Sequence, residues 1–118
     1  MMWFTPSGIK VYLGLGSTDM RKSIDSLSVL VSEHLNHDPF SGHLFVFCNR
    51  RRTILKILYW DRNGFCLWHK RLEKEKFHWP RSEREVAQIS SRQLRWLLEG
   101  LDIDQAQAHG NLDYQSVY

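Results

Sequence analysis

The sequence predicts an α+β fold: an antiparallel meander sheet of three to five strands, packed with an N-terminal amphipathic helix and a short C-terminal helix. Three observations predict it. Leu44 to Leu72 contains three apolar runs rich in β-branched and aromatic residues, separated by turn chemistry. Upstream, Met20, Ile24, Leu27, Val31 and Leu35 recur at steps of three and four, the spacing of one helix face. Downstream, Ser90 to Gly100 carries paired helix start and stop signals.

The elements follow in order. Gly8 to Leu13 alternates Ile9, Val11 and Leu13 with Lys10 and Tyr12, which predicts a short strand. Gly14-Leu15-Gly16 then reads as a turn, with Ser17 or Thr18 available to cap the next element. No Lys-Ser/Thr pair at Walker spacing and no third glycine accompany it, so phosphate cradling is not expected there. A helix is expected from Asp19 to Leu35, with the Asp19 carboxylate near the positive end of its dipole. Asn36 to Gly42 reads as a loop, with Pro39 and Gly42 as breakers.

In the meander, Leu44 to Cys48 sets Leu44, Val46 and Cys48 against Phe45 and Phe47. Thr53 to Trp60 sets Leu55, Ile57 and Tyr59 against Ile54, Lys56, Leu58 and Trp60. Both faces of this second run are largely apolar, which predicts a central strand covered on both sides. Asp61-Arg62-Asn63-Gly64 makes the next turn. Phe65 to Leu72 then alternates Cys66, Trp68, Lys70 and Leu72 against Phe65, Leu67, His69 and Arg71. Phe77-His78-Trp79 is expected to add a short fourth strand before Pro80, and Arg81 to Ala87 a charged connection. A helix from Ser91 to Glu99 has Ser90 and Gln93 as a capping box, Ile89 and Leu94 as a staple, and Gly100 at its end. Residues 1–103 are read as one domain and 104–118 as a polar, flexible tail.

A chain of 118 residues, 42% hydrophobic and 25% charged, is long enough for one real core and has globular composition. No apolar run approaches the roughly 18 residues of a membrane span, and the N-terminus lacks signal-peptide regions, so a cytoplasmic protein is expected. Cys48 and Cys66 fall two strands apart, roughly 10 Å, and read as reduced, buried hydrophobes.

Charge is placed unevenly. The net is −1 over residues 1–49, +8 over 50–95 and −4 over 96–118. A basic block of this size suits a polyanion, although a protein-facing patch has the same signature. Arg50, Arg51, Arg52, Lys56, Arg62, Lys70, Arg71, Lys74, Lys76 and Arg81 are the candidate nucleic-acid contacts, interleaved with Tyr59, Trp60, Trp68 and Trp79. Trp60 and Trp68 read better as core. Three consecutive arginines in a tight loop read equally as an anion contact or as solubilising charge.

No catalytic constellation is assembled by spacing, and no cofactor is expected. Asp19 and Asp25, six apart, share a helix face poorly and read as capping and surface pairing. His34, His37 and His43 fall on a helix end, a loop and a strand start, a poor zinc pattern. The expectation is a non-enzyme. A metal-dependent nuclease using Asp19, Asp25 or Asp61 is the weakest reading.

Several ordered motifs carry a family resemblance. They are Val11-Tyr12-Leu13, Thr18-Asp19-Met20-Arg21-Lys22-Ser23-Ile24-Asp25, and Asp38-Pro39-Phe40-Ser41-Gly42-His43-Leu44-Phe45-Val46-Phe47. Lys56-Ile57-Leu58-Tyr59-Trp60-Asp61, Gly64-Phe65-Cys66-Leu67-Trp68 and Lys70-Arg71-Leu72-Glu73 follow. Phe77, Trp79-Pro80 and Gln93 to Asp102 close the series. From about Ile9 to Ile103 the chain resembles the TnpB accessory proteins, the second open reading frame of the insertion sequence 66 family. The resemblance implies an accessory protein of transposition, encoded beside a separate and larger transposase that carries the strand-transfer chemistry. It implies no catalytic residues for this chain. The functional expectation is a non-catalytic factor that binds DNA at transposon ends, or transposase-bound DNA, through the basic meander. The alternative is a module that docks on the transposase.

Overall fold

The computed structural model describes residues 8–104. In chain order the elements are β1 (Val11–Gly14), α1 (Ile24–Glu33), β2 (Leu44–Cys48), β3 (Ile54–Asp61), β4 (Gly64–Arg71), β5 (Val86–Ile89) and α2 (Ser91–Leu98). The five strands form one sheet in the order β4-β3-β2-β1-β5. The expected β2-β3-β4 meander is present, with Val46 opposite Ile57 and Ile57 opposite Trp68.

The sheet is mixed, which corrects the expectation of a purely antiparallel one. β1 runs parallel to β2, with Val11 opposite Leu44 and Leu13 opposite Val46. Parallel neighbours require a crossover, and α1 with its flanking loops supplies it. The last strand is also relocated. Val86–Ile89, which overlaps the end of the Arg81 to Ala87 segment read as a charged connection, pairs antiparallel with β1, Gly14 meeting Val86. Phe77-His78-Trp79 is not a strand. It keeps the strand-like alternation, with Phe77 and Trp79 buried and His78 exposed, because it lies against the sheet as a filler of the core.

Both sheet faces are covered. On one, Val11, Leu13, Leu44, Val46, Cys48, Leu55 and Ile57 pack with Phe77, Trp79, Leu94 and Leu97. On the other, Phe45, Phe47 and Leu58 pack with Leu27, Val31 and Leu35 of α1 and its C-terminal extension. Every residue of β2 is buried and it is the middle strand of the sheet; β3 lies beside it as an interior strand, with Leu55 and Ile57 in one core and Leu58 in the other. Cys48 is wholly enclosed, and burial pushes its thiol up to about 12. Cys66 lies on β4 opposite Tyr59, while Cys48 lies opposite Leu55, so β3 separates the two cysteines.

The helices differ from the expected ranges. α1 begins at Ile24, with Ser23 as N-cap donating its N–H to Ser26 Oγ at 3.2 Å. Asp19 therefore stands outside the helix. Its carboxylate takes the Arg21 guanidinium at 2.7 Å and the Arg21 N–H at 2.9 Å. Those bonds hold its pKa down to about 2. Thr18 is not the cap; it is buried, and its N–H bonds the Cys48 carbonyl at 2.8 Å. In α2 the Ser90–Gln93 capping box is formed in both directions, at 2.9 and 3.0 Å. Gly100 follows at φ +83°, and the Leu101 N–H returns to the Trp96 carbonyl at 2.8 Å. The expected tail lies outside the described residues apart from Asp104.

Close packing across β1 makes one substitution diagnostic. A Cβ on Gly14 would sit 2.8 Å from the Phe47 ring, whereas one on Gly64 would meet open space. Gly14→Ala is expected to cost about 1–3 kcal/mol in urea unfolding, as over-packing does. Gly64→Ala should stay within about 0.5 kcal/mol of the parent, as a surface change does.

Candidate nucleic-acid interface

Three chain segments meet at one end of the sheet. Residues 15–18 leave the C-terminal end of β1, and residues 49–53 leave that of β2. Residues 77–85 lead into β5 at the same end, because β5 runs against β1. Leu15 N–H bonds the Glu85 carbonyl at 2.9 Å, and Thr18 N–H the Cys48 carbonyl at 2.8 Å. The Trp79 indole N–H donates to the Gly16 carbonyl at 3.1 Å. Phe77 N–H donates to the Arg52 carbonyl at 2.7 Å.

Asn49 holds the arginine turn. Its Oδ1 accepts from the N–H groups of Thr53 and Ile54 at 2.9 and 3.0 Å, and its Nδ2 donates to Thr53 Oγ1 at 3.1 Å. Its backbone carbonyl accepts the Arg52 N–H at 3.0 Å. Arg52 adopts the left-handed region at φ +62°. That conformation costs a non-glycine residue of order 1–2 kcal/mol, so the turn keeps an arginine where asparagine or glycine would be easier.

The ten candidate residues are divided by the fold. Arg50, Arg52 and Arg81 line one pocket of about 230 Å³, together with Gly16, Ser17, Asn49, Trp79, Pro80 and Ser82. Arg51 is exposed on the same turn. Lys76, Arg52 and Arg81 border an adjoining groove of about 710 Å³, which also has Glu75, Asp102 and Asp104 on its walls. Lys74 is exposed in the segment before that groove. Arg71 pairs with Glu73 at 3.0 Å.

Lys56, Lys70 and Arg62 also stand apart from the arginine pocket. Lys56 is half-buried, and its ammonium donates to the Met20 and Lys22 carbonyls at 2.8 Å each, pinning the loop before α1. The Lys70 ammonium donates to the Leu98 carbonyl at 2.9 Å, closing the negative end of α2. Arg62 occupies the β3–β4 turn at φ +54°, at the other end of the sheet. Among the described residues the ion pairs are Arg21–Asp19 and Arg71–Glu73, so Arg50, Arg51, Arg52 and Arg81 have no carboxylate partner there.

The sequence reads Gly16 as part of a turn without phosphate cradling and Ser17 as a possible helix cap, and gives no role to Ser82. The signal that finds them is the element order. A strand, a helix and a strand within about 35 residues form a unit whose strands are parallel, which places both following loops at one end. Other polar groups are used internally. His37 lies against the Tyr12 ring with centroids 4.2 Å apart, and His43 Nδ1 accepts the Lys10 N–H at 3.0 Å. Burial and the Lys10 charge lower the His43 pKa from its ordinary value.

Comparison with known proteins decides the family. Residues 9–108 match the family described as IS66 Orf2 like protein, TnpB_IS66. The chain belongs to that family. Membership makes it a transposition-associated accessory protein of insertion sequences. The chain is 42% identical over 99 residues to the uncharacterized protein y4hO of Sinorhizobium fredii (strain NBRC 101917 / NGR234), covering 82% of this chain and 86% of the relative. It is 33% identical over 95 residues to y4jC of the same strain, also uncharacterized, covering 80% and 81%. No solved structure matches. Among the described residues, no helix of this IS66 Orf2 like protein is long and apolar enough to cross a membrane.

Removing the Asn49 side chain leaves the Thr53 and Ile54 N–H groups without their acceptor. Asn49→Ala is expected to lose about 1–3 kcal/mol of stability. In the same variant, amide exchange at residues 50–54 should accelerate more than exchange in α1.

Proposed function

We propose that this IS66 Orf2 like protein is a non-catalytic accessory factor that binds DNA through the loop end of its sheet. The observation that carries this is the convergence of Arg50, Arg52 and Arg81 on one pocket without a carboxylate on its walls. Arginine offers a rigid fork of donors that matches phosphate oxygens, and a turn fixed by Asn49 loses little freedom when it binds. Arg51 and Lys74 are exposed, and Lys76 lies on the adjoining groove. Lys56 and Lys70 act within the fold, so the DNA-facing set is smaller than the basic block of the sequence.

The acidic side of the adjoining groove orients the reading. Glu75, Asp102 and Asp104 offset Arg52, Lys76 and Arg81 on its walls, so uncompensated positive charge, and with it the phosphate backbone, lies on the side of the arginine turn. Transposon ends or transposase-bound DNA are the expected substrate within an insertion sequence.

A second reading, docking on the transposase of the same element, is favoured by a separate observation. Phe40, 57% exposed, stands 5.1 Å from both the Trp60 and the Phe65 rings, at the end of the sheet away from the arginine turn. The two readings use opposite ends, and one protein can serve both.

Electrophoretic shifts with terminal-repeat and random duplexes test the first reading. Binding should fall as salt rises, and a variant combining Arg50→Ala, Arg51→Ala and Arg52→Asn should bind less tightly. Its slope of log affinity against log salt should be shallower by about one for each phosphate that the variant no longer neutralises. Asparagine at position 52 tolerates the left-handed conformation, so weaker binding does not mean failed folding. Absence of any shift with either duplex at low salt would falsify the reading. For docking, transposase pull-down after nuclease treatment should persist in the parent protein and fail in Phe40→Ser.

A further inference from the structure

We propose that the small pocket between Gly16, Ser17, Arg50, Arg52 and Arg81 is a site for a single phosphate group. The inference deepens the DNA-binding reading and rests on it for the source of that phosphate.

Size is the first argument. At about 230 Å³ the pocket falls below the roughly 300–1,000 Å³ of sites for drug-sized molecules, so it suits one small group rather than a whole nucleotide. Charge is the second. Three arginines line it and no acidic residue does, whereas in the larger groove beside it Arg52, Lys76 and Arg81 are balanced by Glu75, Asp102 and Asp104. An anion is therefore favoured in the pocket over the groove.

The third argument is the backbone. Gly16, which lines the pocket, stands at φ +84° with open space where a Cβ would be, so no side chain screens its backbone. Its carbonyl, the group that would repel an anion, is occupied by the Trp79 indole N–H. Among the described residues no acceptor takes the N–H of Gly16 or Ser17, and successive free amides of this kind form anion-binding concavities. The Asn49 Oδ1, a further acceptor on the wall, is likewise saturated by the Thr53 and Ile54 N–H groups. Two polar acceptors of the lining residues are thus already bonded, while the Gly16 and Ser17 N–H groups have no acceptor among the described residues.

Placement is the fourth. The pocket lies beyond the C-terminal ends of the parallel pair β1 and β2, where sheets with parallel strands and crossover helices commonly hold ligands. Phosphate here can be a backbone diester or a terminal monoester, and the same donors serve both.

The test uses the full chain, labelled with ¹⁵N, and inorganic phosphate titrated against chloride at constant ionic strength. Saturable shifts of the Gly16 and Ser17 amides are expected. Arg81→Gln and Arg52→Asn should each weaken phosphate binding about tenfold, the loss expected for one charge-assisted hydrogen bond, and Lys10→Gln should leave it unchanged. Competition by short single strands then separates the sources. Displacement by a 5′-phosphorylated strand alone identifies a terminal monoester, and displacement by the 5′-hydroxyl strand as well identifies a backbone diester. Shifts that fail to saturate, or that are undiminished in Arg81→Gln, overturn the proposal. If duplex binding survives in that case, the DNA reading stands without the pocket. If phosphate saturates the site but no duplex binds at low salt, the pocket stands and the DNA reading fails.

Discussion

Parallel pairing of Val11–Gly14 with Leu44–Cys48 is the constraint on which the remaining geometry depends. Two parallel neighbours cannot be joined by a hairpin, so the chain between them must cross over, and α1 covers one face of the sheet as it does so. Both strands then release the chain at the same end. The antiparallel addition of β5 brings residues 77–85 to that end as well. Three segments far apart in sequence, one glycine-containing and two arginine-containing, meet there for a topological reason. Short hydrogen bonds fix what the topology brings together: Leu15 to Glu85, Thr18 to Cys48, Trp79 to Gly16 and Phe77 to Arg52.

Positive charge in this protein has two kinds of role. Lys56 and Lys70 satisfy backbone carbonyls, at the loop before α1 and at the end of α2. Buried or terminal carbonyls without a donor are costly, so these lysines stabilise the fold and are poorly placed to release counterions from DNA. Arg50, Arg51, Arg52 and Arg81 have no such internal acceptor among the described residues. A surface of this kind self-repels until an anion arrives, and the left-handed Arg52 adds local strain to it. Both costs make sense where binding offsets them.

Much of this was legible in the residues. The alternation of Leu44 to Leu72 predicted which side chains face which core, because a period of two leaves little freedom once both faces are covered. The Ser90–Gln93 box and Gly100 predicted the bounds of α2, because capping is local chemistry. What was not legible depends on interactions between residues distant in sequence. Thr18 is a capping residue by type, yet its N–H is taken by Cys48 on the neighbouring strand. Met20 fits the helical spacing, yet its carbonyl is drawn to Lys56 and the helix starts at Ile24. Val86 to Ile89 is short and follows a charged run, so nothing local distinguishes a strand from a connection until β1 offers it an edge. For the same reason the basic block could be seen in sequence, but not its division into structural lysines, the paired Arg71, and arginines without a carboxylate partner among the described residues.

In the proposed function the three converging loops act as one DNA-facing unit. Amide hydrogen exchange of the full chain, with and without a duplex from the end of an insertion sequence, tests it most directly. Protection should appear together in residues 15–18, 49–53 and 77–82, with the β3–β4 turn around Arg62 unchanged. Protection centred on that turn and Phe40, with the three loops unaffected, would contradict the account.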